Sequence, residues 1–301
     1  MTLQKIPMSN YSFSKLEPGN IKDLYRLFDA VYHKSCPKNY FDLKYSTAYT
    51  GVSYIGFLAY HNQIPVAYYG IIPTFVSINK QTVLGAQSCD TMTHPEHQKK
   101  GLFVTLAKKT FELAKEKGIH FVFGFPNQSS YPGFIKHLGF THADTMNRYT
   151  IRFSNTPFKL LYRKSGLINR KKRVDSIENI LVQEGYDGLI YSKHYMSYKT
   201  YNPNMILPSG DQRFWINLSK GAWIGAIAPL KKEFFSHTSI ALENLTKASS
   251  ITFMVSSGNN MDFALSKTAR AEKGFAVITK NLSGTYNLSR LKFQFADMDI
   301  F

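Results

Sequence analysis

One stretch constrains this chain more than any other: His94-Pro95-Glu96-His97-Gln98-Lys99-Lys100-Gly101-Leu102-Phe103. The run Gln87–Thr93 before it reads as extended. The segment after it, from about Lys100 to Lys117, reads as an amphipathic helix. Phe103, Leu106, Ala107, Thr110, Phe111 and Ala114 recur there at spacings of three and four. Lys108, Glu112, Lys115 and Glu116 take the other side, and Gly118 is placed to end the helix. A strand that passes through a basic, Gly-containing turn into a helix makes an anion cradle. The first helical N–H groups have no partner within the helix, and the dipole makes that end positive. Gly101 lets a ligand approach the backbone where a side chain would block it.

The next elements narrow the choice. Ile119–Phe125 reads as a buried strand that stops at Pro126-Asn127. A short helix then leads to Leu138-Gly139-Phe140. Together these residues resemble the GNAT superfamily of acyl-CoA-dependent N-acetyltransferases over roughly residues 50–150. Gln98-Lys99-Lys100-Gly101-Leu102-Phe103 is similar to the family's Gln/Arg-x-x-Gly-x-Gly/Ala loop, with Phe103 where the family has a small residue. Asn127 and Gly139-Phe140 supply the second half of the signature.

The resemblance implies roles. Backbone N–H groups of Thr91, Met92 and Thr93 would pair with the pantetheine arm of acetyl-CoA and polarise the thioester carbonyl, helped by a bulge or splay of strands. Gln98, Lys99, Lys100, Gly101, Leu102 and Phe103 would hold the pyrophosphate, and Asn127 would meet the pantetheine. Asp90 is the candidate base or water-positioning residue; the alternative is a buried Asp that holds a loop or a partner Lys. The family's acid, a Tyr, falls at Ile135 here. Tyr131, one turn earlier, can stand in for it or can simply pack on Pro132; His137 and His94 are weaker candidates. Asn127 is equally at home in ordinary turn chemistry.

With 301 residues, 44% hydrophobic, the chain is long enough for two domains with cores of their own. Cys36 and Cys89 are its only cysteines, which excludes a disulfide framework and a Cys-rich zinc site. No metal is expected. Met1–Phe13 lacks the apolar region of a signal peptide, and no apolar run reaches membrane-spanning length, so a cytoplasmic protein with no transmembrane segment is expected. The net charge of +17 suits a polyanionic partner such as coenzyme A, with nucleic acid or an anionic membrane surface left open.

Taken in order, Asn20 is placed to cap a helix from Ile21 to about His33. Two hairpins turn at His61-Asn62-Gln63 and Asn79-Lys80-Gln81, and Tyr149–Phe153 reads as a strand. The predicted fold is α/β: a mixed-sheet GNAT domain over residues 1–155, a basic linker over 156–176, and a degenerate GNAT-like domain over 177–301. The second part carries predicted strands at Arg213–Leu218, Ala222–Ala228, Ile251–Val255, Phe275–Thr279 and Leu291–Phe295. Helices are predicted at Thr238–Ala248 and Met261–Glu272. Pro229-Leu230-Lys231-Lys232 stands where the first part has its basic Gly turn, so one donor site per chain is expected. Tandem proteins of this layout look like enzymes of bacterial surface-polysaccharide synthesis.

The expected function is an acetyl-CoA-dependent N-acyltransferase acting on a small or sugar-borne amine. The aromatic Tyr195, Tyr198, Tyr201, Trp215 and Trp223 and the acidic end Asp297–Phe301 are candidate acceptor contacts, with core packing the other reading of the aromatics. Two rivals stand beside it. A Fem-type peptidyltransferase fed by aminoacyl-tRNA would bind RNA and not CoA. An acyl-CoA-binding protein without turnover would bind CoA and release no thiol.

Overall fold

Four residues with left-handed backbone close the first hairpins. Asn62 and Gln63 (φ 50° and 65°) and Asn79 and Lys80 (φ 49° and 66°) sit at the two turns. Two-residue hairpin turns need positive φ to match the twist of the strands they join, and asparagine tolerates it better than most residues. The computed structural model describes residues 7–153, 176–209, 211–219, 221–230 and 248–301. The basic cluster from Arg163 to Arg173, Lys231, Lys232 and nearly all of the predicted helix Thr238–Ala248 lie outside them.

In chain order the elements are β1 (Tyr11–Lys15), α1 (Ile21–Tyr32), α2 (Tyr40–Tyr45), β2 (Ile55–His61), β3 (Ile64–Ile78), β4 (Gln81–Thr93), α3 (Leu102–Glu116), β5 (Phe121–Gly124), α4 (Tyr131–Leu138) and β6 (Thr141–Arg152). There follow α5 (Ile180–Gln183), β7 (Gly188–Leu189), α6 (Lys193–Tyr198), β8 (Asn204–Ser209), β9 (Gln212–Asn217), β10 (Ala222–Ala228), β11 (Ser250–Ser256), α7 (Asn260–Ser266) and β12 (Glu272–Asn281). The chain forms two compact units. One comprises Met1–Val76, Thr82–His142 and Ile278–Asn287; the other comprises Ser77–Gln81, Ala143–Val277 and Leu288–Phe301.

In the first unit β1 to β5 lie side by side in sequence order. β1–β2 and β2–β3 are antiparallel, whereas β4 and β5 are parallel, joined through α3. The end of β12 adds a last strand, with Ile278–Asn281 antiparallel to Phe121–Gly124. α3 lays Leu102, Leu106, Ala107, Thr110, Phe111 and Ala114 on the sheet, as its spacing predicts. Tyr69, Val122, Phe134, Phe140 and Ile278 complete that core. α1 buries Ile21, Leu24 and Leu27 and ends in a left-handed His33. Asn20 does not cap it. Its side-chain oxygen accepts from Glu17 N–H (2.8 Å) and its amide donates to the Lys15 carbonyl, which closes the preceding tight turn instead.

In the second unit β6 pairs antiparallel with β11, β11 parallel with β10, and β10–β9–β8 form an antiparallel meander. Tyr149, Phe214, Ile216, Ile224, Ile227, Phe253 and Met261 centre its core. Two local expectations fail here. The helix predicted for Met261–Glu272 stops at Ser266, because Glu272 already begins β12. Leu291–Phe295 is no strand. Its backbone changes partner, Lys292 N–H donating to Asp187 C=O (2.9 Å) while Phe293 C=O accepts from Ser256 N–H (2.7 Å), and Asp297 caps Gln294 N–H. β8, unpredicted, flanks β9. The compact units are each assembled from segments that alternate along the chain: β12 gives Ile278 to the first core, and Leu282 just after it packs there too.

Trp215 and Tyr195 are buried, and Trp223 stacks on Phe295 with ring centroids 4.6 Å apart. These aromatics are core, as in the alternative reading. Asp297 is buried too, accepting from Tyr191 Oη–H at 2.7 Å and from Gln294 N–H. Phe301 is wedged against Gly225 and Trp215. Among the described residues no helix is long and apolar enough to cross a membrane.

Candidate active site

The site begins where two parallel strands part. β4 and β5 pair only from Ala86–Val122 to Ser88–Gly124; β5 ends there, and β4 continues to Thr93. Beyond Gly124 the chain reaches Pro126, which has no N–H to offer. The stretch Cys89–Thr93 therefore runs on without a β5 partner, on the side of β4 that β5 would have covered. Asp90 is left-handed within it (φ 46°). Such a conformation is uncommon for a non-glycine residue and persists only where the surroundings hold it.

Those surroundings are a buried polar cluster. Lys44 Nζ lies 2.7 Å from Asp90 Oδ2, and Tyr45 Oη–H donates to the same oxygen at 2.8 Å. Lys44 and Tyr45 are almost fully buried and both come from α2. Tyr45 also lies 3.5 Å from Cys89 Sγ. Burial, then the Asp90 charge, pushes the Tyr45 phenol well above its usual pKa, so it stays a donor. Tyr68 fills the space beneath, its hydroxyl over Gly56 and Gly70, where a Cβ would fall 2.5 and 2.1 Å from it. Of the two roles open to Asp90 from the sequence, the ion pair with a lysine is present. Lys44, Tyr45 and Tyr68 escape sequence reasoning. The only signal is a lone lysine in the apolar run Phe41-Asp42-Leu43-Lys44-Tyr45.

After β4, Pro95–His97 make a single 3-10 turn, and Lys99 and Gly101 follow with φ of 59° and 80°. Gly101 precedes the first turn of α3, with no side-chain cap on that end. The helix's first backbone bond runs from Thr105 N–H to Gly101 C=O (3.1 Å). The N–H groups of Leu102, Phe103 and Val104 come before it and lack intrahelical acceptors. Only the tip of Met8 lies near a Cβ built on Gly101, so the left-handed backbone, more than crowding, calls for glycine. Gln98, Lys99 and Gly101 are exposed and Lys100 is half-buried. Gln98 reaches back toward the Thr93 carbonyl at 3.5 Å. Leu102 turns its side chain into the core, and Phe103 packs on Phe134 and over Gly133, where a Cβ would lie 3.2 Å from its ring. Gly133 thus makes room for the large residue at 103.

Asn127 follows the end of β5. Its side-chain oxygen accepts from Ser130 N–H (2.9 Å) and Ser129 Oγ–H (2.7 Å), which is turn chemistry leading into α4. Tyr131 opens α4, with its hydroxyl 3.3 Å from His142 Nδ1 and its ring against the core. Ile135 packs on the same core, and His137 is exposed. Burial, and next the Asp90 charge, pushes the Cys36 thiol up to about 11, which keeps it protonated and unreactive.

Comparison with known proteins agrees with this geometry. Residues 12–143 match the family model of the GNAT acetyltransferase domain. No curated protein matches the sequence. Among solved structures, a GCN5-related N-acetyltransferase from Kribbella flavida superposes with a TM-score of 0.61 at 12% identity, over 91% of this chain and 71% of that one. A GCN5-related N-acetyltransferase from Anabaena variabilis gives 0.58 at 12%, over 90% and 73%. Saccharomyces cerevisiae N-myristoyltransferase with bound myristoyl-CoA gives 0.57 at 11%, over 95% and 85%. The chain is built on an α/β mixed-sheet fold like that of the GNAT acetyltransferases, and residues 12–143 match the model of that domain.

Proposed function

We propose that this protein is an acyl-CoA-dependent N-acetyltransferase whose donor site lies in the first unit. One observation carries the reading: the stretch of β4 that runs past the end of β5 lies one short turn from the glycine-led start of α3, which has no side-chain cap. A donor that is an extended amide arm at one end and a pyrophosphate at the other needs this pair of features. Backbone groups of Thr91, Met92 and Thr93 extend the sheet with the pantetheine. The Gln98 side chain and the N–H groups at Lys99, Lys100, Gly101, Leu102 and Phe103 receive the pyrophosphate, and Asn127 borders the arm.

In this reading the acceptor nitrogen attacks the thioester carbonyl, and a β4 N–H stabilises the oxyanion that forms. As the tetrahedral adduct collapses the C–S bond breaks, and Tyr131 Oη–H protonates the departing thiolate, with His142 beside it to replenish the proton. Asp90 takes the amine's proton or orients the water that does, held in place by Lys44 and Tyr45. Proximity supplies much of the acceleration. The acceptor is a small or sugar-borne amine, and the second unit is a degenerate relative of the first that shapes acceptor choice; the suggested link to bacterial surface polysaccharide stays with this acceptor.

A second reading is favoured by the Lys44–Asp90 pair, since Asp90 Oδ2 is already engaged by Lys44 and Tyr45 rather than left open to an amine. That reading is acyl-CoA binding without turnover. Thiol release from acetyl-CoA, measured across amines and amino sugars beside a thermal shift with CoA, separates the two. Thiol release that depends on an amine supports the transferase. A shift without release supports the binding protein, and neither signal removes CoA from the account.

A further inference from the structure

Between the sheet and the phosphate-facing turn lies a cluster that acyl transfer does not use. The 3-10 turn Pro95–His97 stacks positions three apart in sequence, so His94 and His97 meet with ring centroids 5.9 Å apart. Glu96 joins them: one ligand atom from each of His94, Glu96 and His97 lies within 4.8 Å of the others. His94 is fixed at its backbone, where its N–H donates to the Val66 carbonyl (2.8 Å), while its ring Nδ1 is buried without a hydrogen-bond partner. Leaving a buried polar atom unsatisfied is costly, and native proteins rarely do it. His97 is buried and its Nδ1 lies 2.9 Å from Tyr11 Oη. His61, opposite Tyr11 across the β1–β2 ladder, places its ring 5.1 Å from that of His97.

We propose that His94, Glu96 and His97 form a binding site for a divalent zinc-type cation. Two imidazole nitrogens and one carboxylate oxygen are a donor set that zinc takes, with a fourth position left for water. The Tyr11 hydroxyl occupies Nδ1 of His97 and leaves Nε2 to the ion. That is the arrangement of ligating histidines whose second ring nitrogen is held by a neighbouring oxygen. Zinc bonds of about 2.0–2.2 Å bring ligand atoms roughly 3.3 Å apart, so the three side chains close in by at most about 1.5 Å. The unpartnered His94 Nδ1 is satisfied by the same event. The exposed Glu96 closes the site from the solvent side. All these groups lie in the first unit, and the proposal stands without CoA.

Metal-stripped full-length protein, titrated with Zn(II) against a chromophoric chelator, tests this. One ion per chain with a Kd below about 1 µM is expected. Co(II) in its place should give the visible bands of a four-coordinate site. Glu96→Gln, at an exposed position, keeps the fold by circular dichroism and should weaken Zn(II) binding at least about tenfold, as should His94→Gln. His137→Gln, exposed and outside the cluster, should leave it unchanged. Absence of a one-to-one complex, or an affinity that neither Glu96→Gln nor His94→Gln lowers, overturns the site.

Discussion

Each unit buries a lysine near an aspartate, with opposite outcomes. In the first unit Lys44 meets Asp90 directly at 2.7 Å, and the carboxylate keeps 17% of its side-chain surface. In the second, Lys199 donates to the Met298 carbonyl with its ammonium over the Tyr201 and Phe301 rings, and Asp297 is held by Tyr191 and a backbone N–H. Burial there pushes Asp297 up to about 7, against the lowering by those hydrogen bonds and by Lys199. The first arrangement keeps a charged pair where β4 runs past the end of β5. The second keeps an acid inside a packed core, where it secures the chain's turn at Gln294–Asp297. Charge retained at a strand end suits chemistry, and charge dispersed in a core suits structure.

The two lysines give the largest test. Lys44→Met strands Asp90 beside Tyr45 and should cost about 3–5 kcal/mol in urea unfolding, and adding Asp90→Asn should restore most of it. Lys199→Met loses a bond to a neutral carbonyl and should cost about 1–3 kcal/mol. Equal losses would erase the distinction drawn between the units. Next in size is Gly101→Glu, which puts a negative charge and a side chain on a left-handed backbone. The folded variant should bind CoA about 100-fold more weakly, read as a lost thermal shift. Pro229 after β10, the place the sequence reading matches to that turn, has no N–H to offer. Calorimetry on the intact protein should therefore find one CoA per chain, and two sites of similar affinity would remove the asymmetry.

Tyr131→Phe should lower turnover by about 100-fold with CoA affinity unchanged, because the hydroxyl is needed only as the thiolate departs. Unaltered turnover would leave the ring as packing. The smallest effect concerns Asp297. Its folded pKa, about 7, lies above the ordinary 3.8, so the folded state holds the proton more tightly. Its contribution to stability is complete below the unfolded value and is lost as pH rises toward 7, by at most about 1.4 kcal/mol per pH unit. Asp297→Asn should flatten the slope of unfolding free energy between pH 4 and 7. An unchanged slope would mean Asp297 is as ordinary in its titration as an exposed carboxylate, and the contrast with Asp90 would narrow.

What the sequence determined by itself was local. The spacing in α3, the asparagines at two hairpin turns, and Gly101 and Gly139 with positive φ are written in short windows, because helix period and turn geometry depend on neighbours in the chain. The order strand, basic turn, helix, strand was legible for the same reason, and it was enough to point to the fold. What only tertiary structure decided involves residues distant in sequence. No pattern near Asp90 announces Lys44, nor does His97 announce Tyr11, since each pair forms only after the sheet and α2 have packed. The length of β12 and its pairing with β5, and the failure of Leu291–Phe295 to become a strand, depend on which distant backbone offers a partner. Strand pairing and buried charge are settled by what lies across the space between elements, and a one-dimensional pattern carries little of that.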